Sequence, residues 1–155
     1  MHLREILLSI HLLAVIVWIG FGLLELWLGR VFLSQEGAPV EGPLIRFIYR
    51  ADLVVFVATL VGLASGLAMA LTLGWGLFQT PWLGAKQAIM LGILGVVAVI
   101  MPRAQRLGAC VSVLPAGPGP ATPEIRAVYR QLEPWFLVMR GAAVVAVLLA
   151  VWRPV

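Results

Sequence analysis

Four long apolar runs divide the chain, separated by short polar breaks. The first, from about residue 5 to 32, reads EILLSIHLLAVIVWIGFGLLELWLGRVF. A bilayer crossing needs about 20 apolar residues as a helix, so each run predicts a span: about 5–32, 45–73, 82–101 and 135–152. The breaks carry turn chemistry. Residues 34–43 hold Glu36, Gly37, Pro39, Glu41 and Gly42, and Gly74-Trp75-Gly76 leads to Pro81. Residues 113–123 hold Pro115, Gly117, Pro118, Gly119, Pro120 and Pro123, a composition that excludes helix and predicts disorder. The third span is expected to stop at Pro102-Arg103. The last helix is expected to start near Glu124, with Thr122 as its cap and Pro123 at its first position. Its opening IRAVYRQLEPW reads as a polar surface stretch, with a kink at Pro134 before the span proper.

This pattern predicts an all-α integral membrane four-helix bundle in one domain, with both termini on the same side. Composition agrees. Of 155 residues 62% are hydrophobic and 12% charged, with mean hydropathy +1.04, whereas about a quarter are charged in a soluble domain. The net charge of +4 does not point to nucleic acid, because no folded basic surface is left to bind it. Arg30, Arg46, Arg50, Arg103, Arg106, Arg126 and Arg130 flank loops one and three, against Arg4, Lys86 and Arg153 on the other side. The positive-inside rule then puts loops one and three in the cytoplasm. The first run is too long for a cleavable signal, and no small-x-small site follows it. The single cysteine, Cys110, excludes an internal disulfide and a cysteine-based metal cluster. No nucleotide-binding glycine loop, hydrolase elbow or metalloprotease motif occurs.

The candidate chemistry lies in the few polar residues inside the spans. An ionisable group there costs a few kcal/mol on insertion scales, so it normally faces the bundle interior. His11, Trp18 and Glu25 recur every seven residues, a spacing that drifts only about 20° per step, so they share one helix face. His11 lies about 9 Å below the terminal-side surface, at 1.5 Å per residue. Lys86 enters from the same side, and Met69 and Met90 fall at similar depth. Arg140 is mid-span, and Glu25 lies nearer the other face. These residues define a candidate polar column of His11, Lys86, Arg140 and Glu25.

Each has a functional and a structural reading. His11 suits a haem iron or a copper ion; alternatively it is a core histidine hydrogen-bonded to a neighbouring helix. A second ligand would come from Met69, Met90, Lys86, water or another subunit, although methionine is more often filler. Lys86 would pair with a substrate or cofactor carboxylate, or snorkel to the interface. Arg140 needs a partner, for which Glu25 is the natural candidate. Asp52 beside Arg50, and Glu133 beside Arg130, read as interface pairs of small value. His2 is terminal and carries no role. Tryptophans 27, 75, 82, 135 and 152 read as interfacial anchors, while Trp18 is too deep and packs the core. Gly62 and Gly66 form a close-contact face for a homodimer or for packing inside the bundle.

HLLAVIVW in span one, WLGAK opening span three, and YRQLEPW leading to WRP occur in that order. Together they resemble the HemJ-type protoporphyrinogen oxidases and, more loosely, the CopD-like four-helix bacterial membrane proteins. The resemblance implies haem b, with His11 as axial ligand and metal-binding residue and Trp18 matching the family's tryptophan one heptad on; Met69 and Met90 join them as candidate cofactor-binding residues by their depth. It also implies a catalytic role for Lys86, and Arg130 with Glu133 resembles the family's Arg-x-x-Asn-Glu segment; Arg140 and Glu25, placed by depth, join the candidate catalytic set as a charge-stabilising pair. Its expected partners are the lipid bilayer, a hydrophobic porphyrin substrate, and a quinone or other membrane redox partner. Its location would be the bacterial inner membrane. Leu132 stands where the family has Asn, and the family's Tyr-His-Gly of span three is replaced by Met101-Pro102-Arg103. The alternatives are a CopD-like metal-handling or transport protein, or an accessory subunit of a membrane complex.

Overall fold

A computed structural model describes residues 3–152; His2 and Arg153 lie outside the described residues. Four helices follow one another: α1 (Leu3–Ser34), α2 (Glu41–Thr72), α3 (Pro81–Ser112) and α4 (Pro123–Trp152). All four are long and apolar enough to cross a membrane. At 1.5 Å per residue a 32-residue helix is about 48 Å long, so its ends emerge from a hydrocarbon core about 30 Å thick. Large apolar side chains such as Leu13, Ile16, Leu53, Val57, Leu91 and Val138 cover the outer face. The chain is a multi-pass membrane protein folded as an all-α bundle.

The helices alternate in direction. The start of α1 meets the end of α2 at His11 and Gly62, and the end of α1 meets the start of α4 at Leu33 and Arg126. The end of α3 meets the start of α4 at Arg106 and Glu124. The start of α1 and the end of α4 therefore lie at the same face. Among the helix pairs that touch, contact is most extensive between α1 and α2 and slightest between α2 and α3. Small residues explain the first: Gly62 lies over Ala14 and Gly66 over the His11 ring. The Gly62/Gly66 face is thus used inside the chain, against α1.

Three expectations are corrected. Helix α3 does not stop at Pro102 but runs on to Ser112. Proline forfeits one backbone hydrogen bond, a loss that membrane helices tolerate. Helix α4 is one element from Pro123, with Pro134 inside it, and its opening turns are core rather than surface. Ile125, Val128, Tyr129, Leu132 and Phe136 are all buried, because they recur at helical spacing and make an apolar stripe. Thr122 caps the helix as expected, its Oγ1 accepting from the Ile125 amide at 3.3 Å. The loop at residues 113–122 is irregular but tied down. Arg46 donates to the carbonyls of Leu114 at 3.3 Å, Pro115 at 2.6 Å and Gly117 at 2.7 Å. Gly119 and Pro39 link the two loops at 2.6 Å.

Trp75 and Trp82 meet edge to face at 6.2 Å on the terminal side. Trp27 is well exposed on the outer face and Trp135 partly so, as membrane anchors should be.

Candidate functional site

The polar residues of the spans gather at two levels. Fourteen residues of α1 separate His11 from Glu25, about 21 Å along the axis.

At the terminal-side level, His11 faces α2. Its Nδ1 lies 2.9 Å from the Gly62 carbonyl and 3.1 Å from Ser65 Oγ. A carbonyl only accepts, so Nδ1 carries the proton and Nε2 keeps a free lone pair. Ser65 Oγ donates to the Val61 carbonyl at 2.7 Å and is free to share the imidazole proton. Gly66 provides the flat floor: a Cβ there would come within 3.0 Å of His11 Cε1. Lys86 on α3 is half-buried, with Nζ 5.7 Å from the Trp82 ring centre. Met69 is buried, and Met90 is half-buried against the core.

At the second level, Glu25 and Arg140 form the expected ion pair. Arg140 Nη2 donates to Glu25 Oε2 at 2.5 Å, with both side chains almost wholly buried. Gly22 makes this possible, since a Cβ there would fall 2.6 Å from Arg140 Cδ. Asp52 stands 4.0 Å from Arg140 Nη2. Among the described residues this is the ion-pair contact of Asp52, so the expected Arg50–Asp52 pair is not formed. Arg130 likewise turns to Glu36, at 3.9 Å, and not to Glu133. Glu25 Oε1 and Arg140 Nε have no hydrogen-bond partner. Trp18 is buried, as expected, and lines a cavity of about 180 Å3 reached by Asp52 and Arg140.

A third cluster, at the loop one and loop three end, was not expected from the sequence. Glu41 is fully buried and bonded to Arg126. Its Oε2 also accepts from the amides of Gly37 and Ala121, both at 3.1 Å. Arg126 caps α1 by donating to the carbonyls of Leu33 at 3.0 Å and Phe32 at 3.3 Å. These are carbonyls that a helix end leaves without partners. The available signal was Glu41 and Arg126 at the first turns of α2 and α4; only the third dimension shows that they meet.

Among the described residues no group of three or more His, Cys, Asp or Glu side chains is placed to hold a metal ion. Comparisons with protein-family models, curated proteins and solved structures give no match.

Proposed function

We propose that this multi-pass membrane protein binds haem b at His11 and serves as a membrane redox protein of the HemJ type. The observation that carries the reading is the His11 Nδ1–Gly62 contact of 2.9 Å. Haem and metal histidines commonly donate the far ring proton to a backbone carbonyl, which fixes the tautomer and aims the other nitrogen at the metal. Gly66 leaves room for the imidazole to lie flat, and its substitution would displace the ring. Lys86 at the same end supplies a counter-charge for the carboxylates of a porphyrin ring. His11 would therefore hold the haem iron, with Met69 and Met90 as candidates for a second ligand.

When bound, haem supplies one-electron chemistry. The chain supplies a fixed imidazole, a cation for carboxylate binding, and a bundle that shields the site from water. The substrate on this reading is a hydrophobic porphyrinogen, with a quinone or another membrane partner accepting its electrons. The location is the bacterial inner membrane, with loops one and three in the cytoplasm.

The test is a reduced-minus-oxidised absorbance spectrum of protein purified after expression with ample haem, beside His11→Ala. A Soret band with resolved α and β bands, lost in His11→Ala, is the expected result. A featureless spectrum from folded, haem-supplied protein overturns the reading.

A further inference from the structure

The cavity at the second level is bounded on α1 by Trp18, seven residues or about 10 Å along the helix from His11, and takes no part in the reading above. It lies between α2 and α3, which touch only slightly, and its lining residues Leu53, Phe56 and Leu60 are exposed on the outer face, so its mouth faces lipid. Its walls are apolar and aromatic: Trp18, Tyr49, Phe56 and Phe136 all line it. Its charged residues are Asp52 and Arg140.

The charges at this level do not balance. Arg140 is closed on Glu25 at 2.5 Å, while Asp52 stands off at 4.0 Å with its side chain 27% exposed. Two carboxylates share one guanidinium, and the carboxylate left short of a partner lines the cavity. A charge in a low-dielectric interior without a close counter-ion is strongly disfavoured. Aromatic ring faces carry negative electrostatic potential and attract cations, most of all where water is excluded. An anion would meet Asp52 at close range, and a neutral apolar molecule would leave its charge unmet.

We propose that this cleft is a binding site for a small hydrophobic monocation with its charge on nitrogen, held by Asp52 and the surrounding aromatic rings. Size agrees with a single ring and a small head: the cavity measures about 180 Å3, and about 150 Å3 accepts benzene. The ligand is a membrane-soluble amine or ammonium and not a lipid headgroup. Asp52 lies eleven residues into α2, about 16 Å from its start, below the headgroup zone.

The test uses the full chain in phosphatidylcholine nanodiscs, with benzyltrimethylammonium as probe and neopentylbenzene as its neutral isostere. Heats of binding are measured by calorimetry against protein-free discs. The cation is expected to bind saturably and the neutral isostere not at all. Asp52→Asn is expected to weaken the cation by about tenfold or more, the equivalent of one lost charge contact of about 1.4 kcal/mol. If Asp52→Asn misfolds, Val97→Trp replaces it, filling the cavity while leaving all three charges in place. Equal binding of cation and isostere, no binding of the cation, or undiminished binding in the folded variant overturns the proposal.

Discussion

Gly22 of α1 and Arg140 of α4 are fitted to each other. A Cβ at position 22 would lie 2.6 Å from Arg140 Cδ and closer still to Nε. The missing side chain is what lets a guanidinium cross to Glu25, three residues further along α1. Gly22→Ala is therefore expected to push Arg140 off its partner and to destabilise the bundle by about 1–3 kcal/mol, the usual cost of overpacking. Gly20, two residues away, has open space where its Cβ would sit. Gly20→Ala is expected to be neutral or to stabilise by up to about 1 kcal/mol. Unfolding both variants in mixed micelles checks the contrast, and equal effects would sink it.

The Glu25–Arg140 pair predicts an asymmetric mutant cycle. Glu25→Leu leaves Arg140 with Asp52 still 4.0 Å away, so part of its charge remains met. Arg140→Met strands Glu25 and Asp52 together. Breaking a buried pair by removing one partner costs about 3–5 kcal/mol, and Arg140→Met should lie at the upper end. The double variant Glu25→Leu/Arg140→Met is expected to be more stable than Arg140→Met alone. The measure is the coupling energy from unfolding of all four proteins; additive losses would mean that the pair contributes nothing specific.

The four spans and the Glu25–Arg140 pair were legible in the sequence for one reason. Apolar length and helical depth follow from residue counting. What residue counting does not give is azimuth, the direction in which each side chain points around its helix. The partners along the polar column depend on azimuth: His11 turns to the Gly62 carbonyl of α2, while Glu25 meets α4. The opening of α4 was misread for a different reason. Arg126, Arg130 and Glu133 make it look polar, yet Ile125, Val128, Tyr129 and Leu132 form a buried stripe between them. Asp52 was assigned to its sequence neighbour Arg50, although residues two apart on a helix do not face each other.

Topology gives a prediction independent of any ligand. Ser34 ends α1 and Ser112 ends α3, both at the face of loops one and three. In a Cys110→Ser background, Ser34→Cys and Ser112→Cys should resist membrane-impermeant maleimides in intact cells and react after lysis. Gln79 lies in the loop between α2 and α3, at the opposite face, so Gln79→Cys should react in intact cells. The reverse pattern would invert the orientation expected from the arginine bias.

Glu41 and Arg126 should matter far more than Arg106 and Glu124, although both pairs join two helices at the same end of the bundle. The first pair is buried, and between them its members satisfy the amides of Gly37 and Ala121 and the carbonyls of Phe32 and Leu33. Arg126→Ala removes a cap from α1 and leaves the Glu41 carboxylate buried without its cation, a loss of about 3–5 kcal/mol. Arg126→Lys should not rescue it, because an ammonium lacks the planar fork that reaches two carbonyls and a carboxylate together. The Arg106–Glu124 pair is mostly exposed at 2.7 Å, and exposed pairs contribute at most about 1 kcal/mol. Arg106→Ala should therefore leave unfolding nearly unchanged. Proteolysis offers a local readout: cleavage within residues 113–122 should accelerate in Arg126→Ala, whose loss frees the Glu41 anchor of Ala121, and not in Arg106→Ala. Equal protection in both would show that Arg46, which holds three carbonyls of the same loop, is sufficient to pin it.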